Sequence, residues 1–195
     1  MEIPTIMRKI ILMSGIPGSG KSYVANMRIN AHIRETFPAD QTIISDPVSR
    51  PVMPGNGWKT SSPIILLSCD HYFMSKGEYT FDISLLGDAH GLTLKSYIRG
   101  VQDPLNSLLI VDNTNTTNEE LAPYIAIAQA FKIPVEVLTV SVSGADLQKA
   151  ADRNSHGVPS QTIARMNQSI NNSKPPFHWQ PSMGVTFIDI PAVFP

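Results

Sequence analysis

The chain has 195 residues, 42% of them hydrophobic and 16% charged, with a net charge of −1. That balance argues against a long polycationic nucleic-acid surface and leaves only local patches for such contact, and no apolar run approaches the ~20 residues that span a bilayer. A single cysteine, Cys69, excludes an intrachain disulfide, so the expected setting is a reducing cytoplasm and Cys69 itself reads as a buried thiol at a strand end.

This length suits one domain over 1–195, large enough to bury a substantial core. The first element is a strand at Ile10-Ile11-Leu12-Met13, too short and too directly joined to functional sequence to be a signal peptide. It runs into Gly15-Ile16-Pro17-Gly18-Ser19-Gly20-Lys21-Ser22, which fits the phosphate-cradling pattern G-x-x-x-x-G-K-[ST]. The glycines let successive N–H groups turn inward toward phosphate oxygens, Lys21 reaches the β and γ phosphates, and the Ser22 hydroxyl ligates Mg²⁺. A chance glycine-rich turn is the rival, but with Gly at ~7% such an octet arises in under about 1% of chains this long. The helix that follows, Ser22 to Thr36, is free of Gly and Pro and presents its N-terminal donors to the same anion.

Residues 38–63 read as a surface insertion rich in Pro and Gly, with one short strand at Thr42 to Ser45. Its Arg50, Trp58 and Lys59 either contact a substrate or anchor the loop. Ile64-Ile65-Leu66-Leu67 is the second buried strand, and Asp70-His71-Tyr72-Phe73 follows at its C-terminal end, where ligands sit in open α/β sheets. A helix from Ser84 to Arg99 places Lys95 and Arg99 on one face, solvated or touching a substrate backbone.

The third buried strand, Leu108-Leu109-Ile110-Val111, ends in Asp112-Asn113-Thr114-Asn115. Asp112 there either holds Mg²⁺ or its waters, or joins its neighbours in making turns and capping the next helix, and both can hold together. That helix spans Glu119 to Phe131 with Thr117 or Asn118 as cap, and Pro134 to Ser143 alternates as a strand. A helix from Asp146 to Arg153 breaks at Arg153-Asn154-Ser155-His156-Gly157-Val158-Pro159; Ser160 caps a helix over Gln161 to Ile170, and Val185 to Ile190 makes an edge strand. This alternation predicts a three-layer α/β domain with a mostly parallel sheet.

A kinase needs a base beside the acceptor hydroxyl, a metal bridging the β and γ phosphates, and a mobile cation over the transferred group. Asp70 suits the first role, Ser22 and Asp112 the second, and Arg153, at a helix–loop junction, the third. The N-K-x-D pattern expected of a GTPase is absent.

Four blocks in this order, Gly15 to Ser22, Cys69 to Phe73, Ile110 to Asn115, and Arg153 to Pro159 with Ile163 to Met166, resemble the P-loop polynucleotide-kinase-like kinases, the family of phage-type 5′-hydroxyl polynucleotide kinases and related AAA-type ATP-binding kinases. The resemblance runs from Arg8 to Ile170 outside the insertion. It implies a P-loop NTPase fold with a small lid at 153–160, Asp70 as general base, and Arg153 as the lid cation over the nucleoside triphosphate. It further implies ATP or another NTP as phosphate donor, Mg²⁺ as cofactor, and the 5′-hydroxyl of a nucleic acid as acceptor, with a small-molecule alcohol or nucleoside as the alternative. The chain departs from the family at Phe73, where an arginine grips a substrate phosphate, and at His156 and Gly157, which occupy the region of a second lid arginine. An apolar or stacking Phe73 would suit either a nucleobase or a compact alcohol. A non-catalytic ATP-binding module acting through a protein partner is the reading of another class.

Overall fold

The structure is a computed structural model that describes residues 8–36, 48–49, 63–75 and 78–194. The strand expected at Thr42 to Ser45, and Arg50, Trp58 and Lys59 of the insertion, lie outside the described residues.

Strands β1 (Lys9–Ser14), β2 (Val48–Ser49) and β3 (Ile64–Leu67) precede a small antiparallel hairpin of β4 (Met74–Ser75) and β5 (Glu78–Tyr79). Strands β6 (Leu108–Val111), β7 (Val135–Ser141) and β8 (Val185–Pro191) complete a six-stranded sheet in the order β2-β3-β6-β1-β7-β8, every pair parallel. All four residues of β3 and of β6 are buried, as continuous apolar runs in a sheet covered on both faces must be.

Successive strand side chains point to opposite faces, so the register decides which of them meet. Ile10 and Ile65 both align with Leu109. One face therefore collects Ile10, Leu12, Ile65, Leu67, Leu109 and Val111, under Tyr97 and Val101 of α2 (Leu86–Gln102) and Leu121, Tyr124 and Ile125 of α3 (Asn118–Ala130). The other collects Ile11, Met13, Ile64, Leu66, Leu108 and Ile110 against Ala25 and Ile29 of α1 (Lys21–Thr36). Each fully buried Leu or Ile contributes roughly 1.5–3 kcal/mol, whereas a surface pair such as Lys9 with Glu136 contributes about 0–1 kcal/mol. The two apolar faces, not surface charge, hold the three layers together.

Helix α2 begins two residues later than the sequence suggests, because Asp82 accepts from both the backbone N–H and the hydroxyl of Ser84 and winds Ile83–Leu85 into a 3₁₀ turn first. Its far end is closed by Arg8, whose guanidinium donates to the carbonyls of Gly100, Val101, Asp103 and Asn106 at 2.6 to 3.2 Å. Gly100 and Val101 lie in the last turn, whose carbonyls lack partners within the helix. Gly100 lets α2 approach the sheet, since a Cβ there would lie 2.7 Å from the Leu109 side chain.

Of the two candidate caps for α3, Thr117 is the one used: it forms a reciprocal capping box with Glu120. Two short helices follow β7, α4 (Leu147–Asp152) and α5 (Ser160–Asn172). Pro159 occupies the cap position of α5, and Ser160, expected as the cap, is its first helical residue and makes no capping bond. Strand β8 lies at the sheet edge, as its mixed burial requires.

Candidate active site

The glycine-rich loop leaves β1 and is tied to the end of β6 by a hydrogen bond from the Gly15 N–H to the Thr114 carbonyl, 2.9 Å. Gly18 has φ +76, and a Cβ there would come within 1.9 Å of the Ala150 carbonyl oxygen, so no other residue fits without moving α4. Ile16 is fully buried with Val142, Ala150 and Ile163, which seats the α4–α5 region on the loop. Lys21 Nζ donates to the Ile16 carbonyl at 3.0 Å. Burial lowers its pKa, while Asp112 and Asp70 oppose that shift.

Asp112 follows β6, and its N–H donates to the Leu67 carbonyl at 2.7 Å, so the carboxylate stands between the ends of β3 and β6. Burial raises its pKa; Lys21 and the Ser22 hydroxyl pull the other way. Its Oδ1 is buried with no hydrogen-bond partner. An orphaned carboxylate oxygen beside a serine hydroxyl is the donor set that fits Mg²⁺, which binds through one or two protein oxygens and completes its shell with water and phosphate. The neighbouring asparagines brace the strand ends: Asn113 Oδ1 accepts from the Cys69 N–H at 2.9 Å, and Asn115, at φ +39, donates from Nδ2 to the Met13 carbonyl at 2.7 Å. The tetrapeptide thus braces the strand ends and leaves one carboxylate oxygen of Asp112 open.

Asp70 sits in a 3₁₀ turn, Cys69–Phe73, opened by Ser68, whose hydroxyl accepts from the Asp70 N–H. Its Oδ1 accepts from the Tyr79 hydroxyl at 3.0 Å, and its Oδ2 lies 3.8 Å from His156 Nε2. A cavity of about 490 Å³ brings together Gly18, Lys21, Ser22, Asp70, Asp112 and Arg153. Arg153 reaches it from the rim: it is exposed, its Nη1 donates to the Val193 carbonyl at 3.3 Å, and its guanidinium lies 5.5 Å over the Phe194 ring. Cys69 also lines the cavity, but burial pushes its thiol up to about 11, so at neutral pH it is a protonated, inert group beside His90.

Tyr79, Phe81 and His90 also line this cavity, and sequence reasoning assigned none of them a role; His156, read only as filling the region of a second lid arginine, lines it as well. Phe73 corrects an expectation in the other direction. It is 5% exposed, packs on Tyr72, Tyr79 and Phe81 with ring centroids 5.0 to 6.2 Å away, and so supports other rings and does not stack on a bound acceptor. Lys95 and Arg99 occupy exposed positions of α2 outside the cavity lining, the solvated-face reading of that pair.

An AAA domain family matches residues 10–172, from β1 through α5. The chain belongs to that family. As an AAA domain with this phosphate loop, it is a nucleotide-binding, kinase-like protein. Among curated proteins the AAA domain is similar to human NEDD4-binding protein 2, 30% identical over 158 residues; these are 80% of this chain but 7% of that protein. Among solved structures it is similar to the crystal structure of APE1195, with a TM-score of 0.47 and 15% identity over 89% of this chain and 82% of that one. No helix among the described residues is long and apolar enough to cross a membrane.

Proposed function

We propose that this AAA domain is an ATP- and Mg²⁺-dependent kinase that transfers the γ-phosphate to a hydroxyl group, working in the cytoplasm. The observation that carries the reading is that Asp70, held by Tyr79, opens onto the same cavity as Lys21 and lies close enough to influence its charge. A binding module that only changes shape has no use for a carboxylate at that place.

Bound Mg²⁺ supplies charge neutralisation between the β and γ phosphates. The chain supplies the rest. The loop N–H groups and Lys21 hold the phosphates, and Ser22 and Asp112 hold the metal or its waters. Asp70 accepts the proton of the acceptor hydroxyl as the oxygen bonds to the γ phosphorus; the bond from that phosphorus to the β–γ bridging oxygen breaks, and ADP leaves with that electron pair. Arg153, drawn from Val193, neutralises charge on the group in flight, in a lid we place at 153–160. Arg153→Ala should therefore lower turnover more than it raises the Michaelis constant for ATP. Steady-state kinetics test this, and an unchanged turnover would remove Arg153 from the lid role.

Family resemblance supports the 5′-hydroxyl of a polynucleotide as acceptor. A specific observation favours the second reading, a nucleoside or compact alcohol: among the described residues the cavity's only Lys and Arg are Lys21 and Arg153, both assigned here to ATP, and the rest of its lining includes Tyr79, Phe81, His90 and Glu120. A strand of phosphates needs such cations, and its binding weakens steeply with salt through counterion release. Transfer of label from γ-labelled ATP to a 5′-hydroxyl oligonucleotide and to free nucleosides, at low and moderate salt, decides between them. Steeply salt-sensitive labelling of the oligonucleotide supports the polynucleotide; label in nucleosides alone, with a flat salt response, overturns it. Stacking of a terminal base, worth roughly 1–3 kcal/mol, falls to Trp58 or to exposed Phe81, no longer to Phe73.

A further inference from the structure

Three contacts converge on a side chain that neither the phosphate loop nor the metal ligands use. Tyr79 stands on β5, and its hydroxyl donates to Asp70 Oδ1 at 3.0 Å. Its ring meets the His156 imidazole edge-on, with centroids 4.8 Å apart and planes at 65°, and it packs against buried Phe73 at 6.2 Å. His156 belongs to the segment between α4 and α5, and its Nε2 is 3.8 Å from the second carboxylate oxygen, Oδ2. Burial and the neighbouring Asp70 raise the Tyr79 pKa, so its hydroxyl keeps its proton and remains a donor.

We infer that Tyr79 is a positioning residue that aims the Asp70 carboxylate and seats the lid beside it. The inference rests on the phosphoryl-transfer reading above. A carboxylate on a short, rotatable side chain presents either oxygen to an acceptor. Committing Oδ1 to the Tyr79 hydroxyl leaves Oδ2 as the oxygen that takes the proton. The 3.8 Å separation from His156 is too long for a hydrogen bond, so the Oδ2 lone pairs stay open to an incoming hydroxyl. The same ring is the surface on which His156 rests, so base orientation and lid position pass through one side chain. This also accounts for an apolar residue at 73: Phe73 backs the Tyr79 ring from the core, where a charged guanidinium would be buried without a partner.

Two substitutions separate the functions. Tyr79→Phe keeps the ring and removes the hydroxyl; Tyr79→Leu removes both. They are compared with Asp70→Asn and with the Tyr79→Phe/Asp70→Asn double variant, using γ-labelled ATP with a 5′-hydroxyl oligonucleotide and with adenosine as acceptors. Tyr79→Phe should lower kcat about tenfold, the scale of one lost hydrogen bond, with the ATP KM unchanged. In the Asp70→Asn background the same substitution should cost almost nothing, because a positioning residue has no effect once its target cannot act as base. Tyr79→Leu should in addition raise the ATP KM severalfold as His156 loses its seat. An unchanged kcat in Tyr79→Phe, or a tenfold loss repeated in full in the Asp70→Asn background, overturns the positioning role, and an unchanged ATP KM in Tyr79→Leu overturns the lid seat. Full activity in Asp70→Asn alone defeats the assignment of Asp70 as base and with it the positioning role, whereas no label transfer by the wild-type chain defeats the phosphoryl-transfer reading, a result distinct from the others.

Discussion

Lys21→Ala should reduce phosphoryl transfer on the order of 10³-fold and weaken nucleotide binding. The lysine is the cation at the floor of the loop, its ammonium already turned toward the Ile16 carbonyl and influenced by Asp112 and Asp70. Removing one preorganised donor from a low-dielectric site costs about 10²–10³ in rate, and Lys21 also supplies the charge that holds the β and γ phosphates before the reaction. A second effect adds to the first. Asp112 loses the cation that counters its burial, so its carboxyl moves further toward the neutral form and becomes a poorer metal ligand. Raising Mg²⁺ should therefore recover only part of the activity. Turnover equal to wild type would remove the loop from the mechanism.

Asp70→Asn should lower turnover by roughly 10²-fold or more while ATP affinity persists, since positioned base catalysis is worth about that much. The substitution suits the site because an asparagine oxygen can still accept the Tyr79 hydroxyl, so the hairpin and the turn from Cys69 to Phe73 keep their contacts. What is lost is the capacity to take a proton. Isothermal titration with ATP and a labelled-transfer assay separate the outcomes. Loss of ATP affinity with an intact fold would make Asp70 a support of the nucleotide site, full turnover would remove it as the base, and no label transfer by the wild-type chain would favour a non-catalytic ATP-binding module.

Much of this arrangement was legible because its signals are local. Strands β3 and β6 read directly from unbroken apolar tetrapeptides, which only a sheet covered on both faces tolerates. The phosphate loop read from glycine spacing, and Asp70 and Asp112 from their places just past those strands. What stayed hidden depends on long-range placement. Tyr79 lies on a two-residue strand, too short for any periodicity, and nothing local announces that His156, far along the chain, packs on its ring. Phe73 read as a stacking residue because it stands where the family resemblance puts a phosphate-gripping arginine; the 3₁₀ turn swings it into the core instead. Arg8 drew no reading of its own, because its guanidinium donates to a helix carbonyl 93 residues further along the chain.

The strand order also governs when the site can exist. Strand β1, which carries the phosphate loop, lies between β6 and β7, so Lys9 finds its partners only at Leu108 and the following residues on one side, and Ile10 at Val135 on the other. Parallel pairing over such separations must close a long loop before any ladder bond forms, which makes it intrinsically slow. During synthesis the strand that carries the phosphate loop waits for Leu108–Val111 and Val135–Ser141 to emerge, its apolar residues unpaired in the meantime. A growing polypeptide therefore gains its anion cradle late. Nucleotide supplied during refolding should therefore draw the last docking step toward the native sheet by mass action.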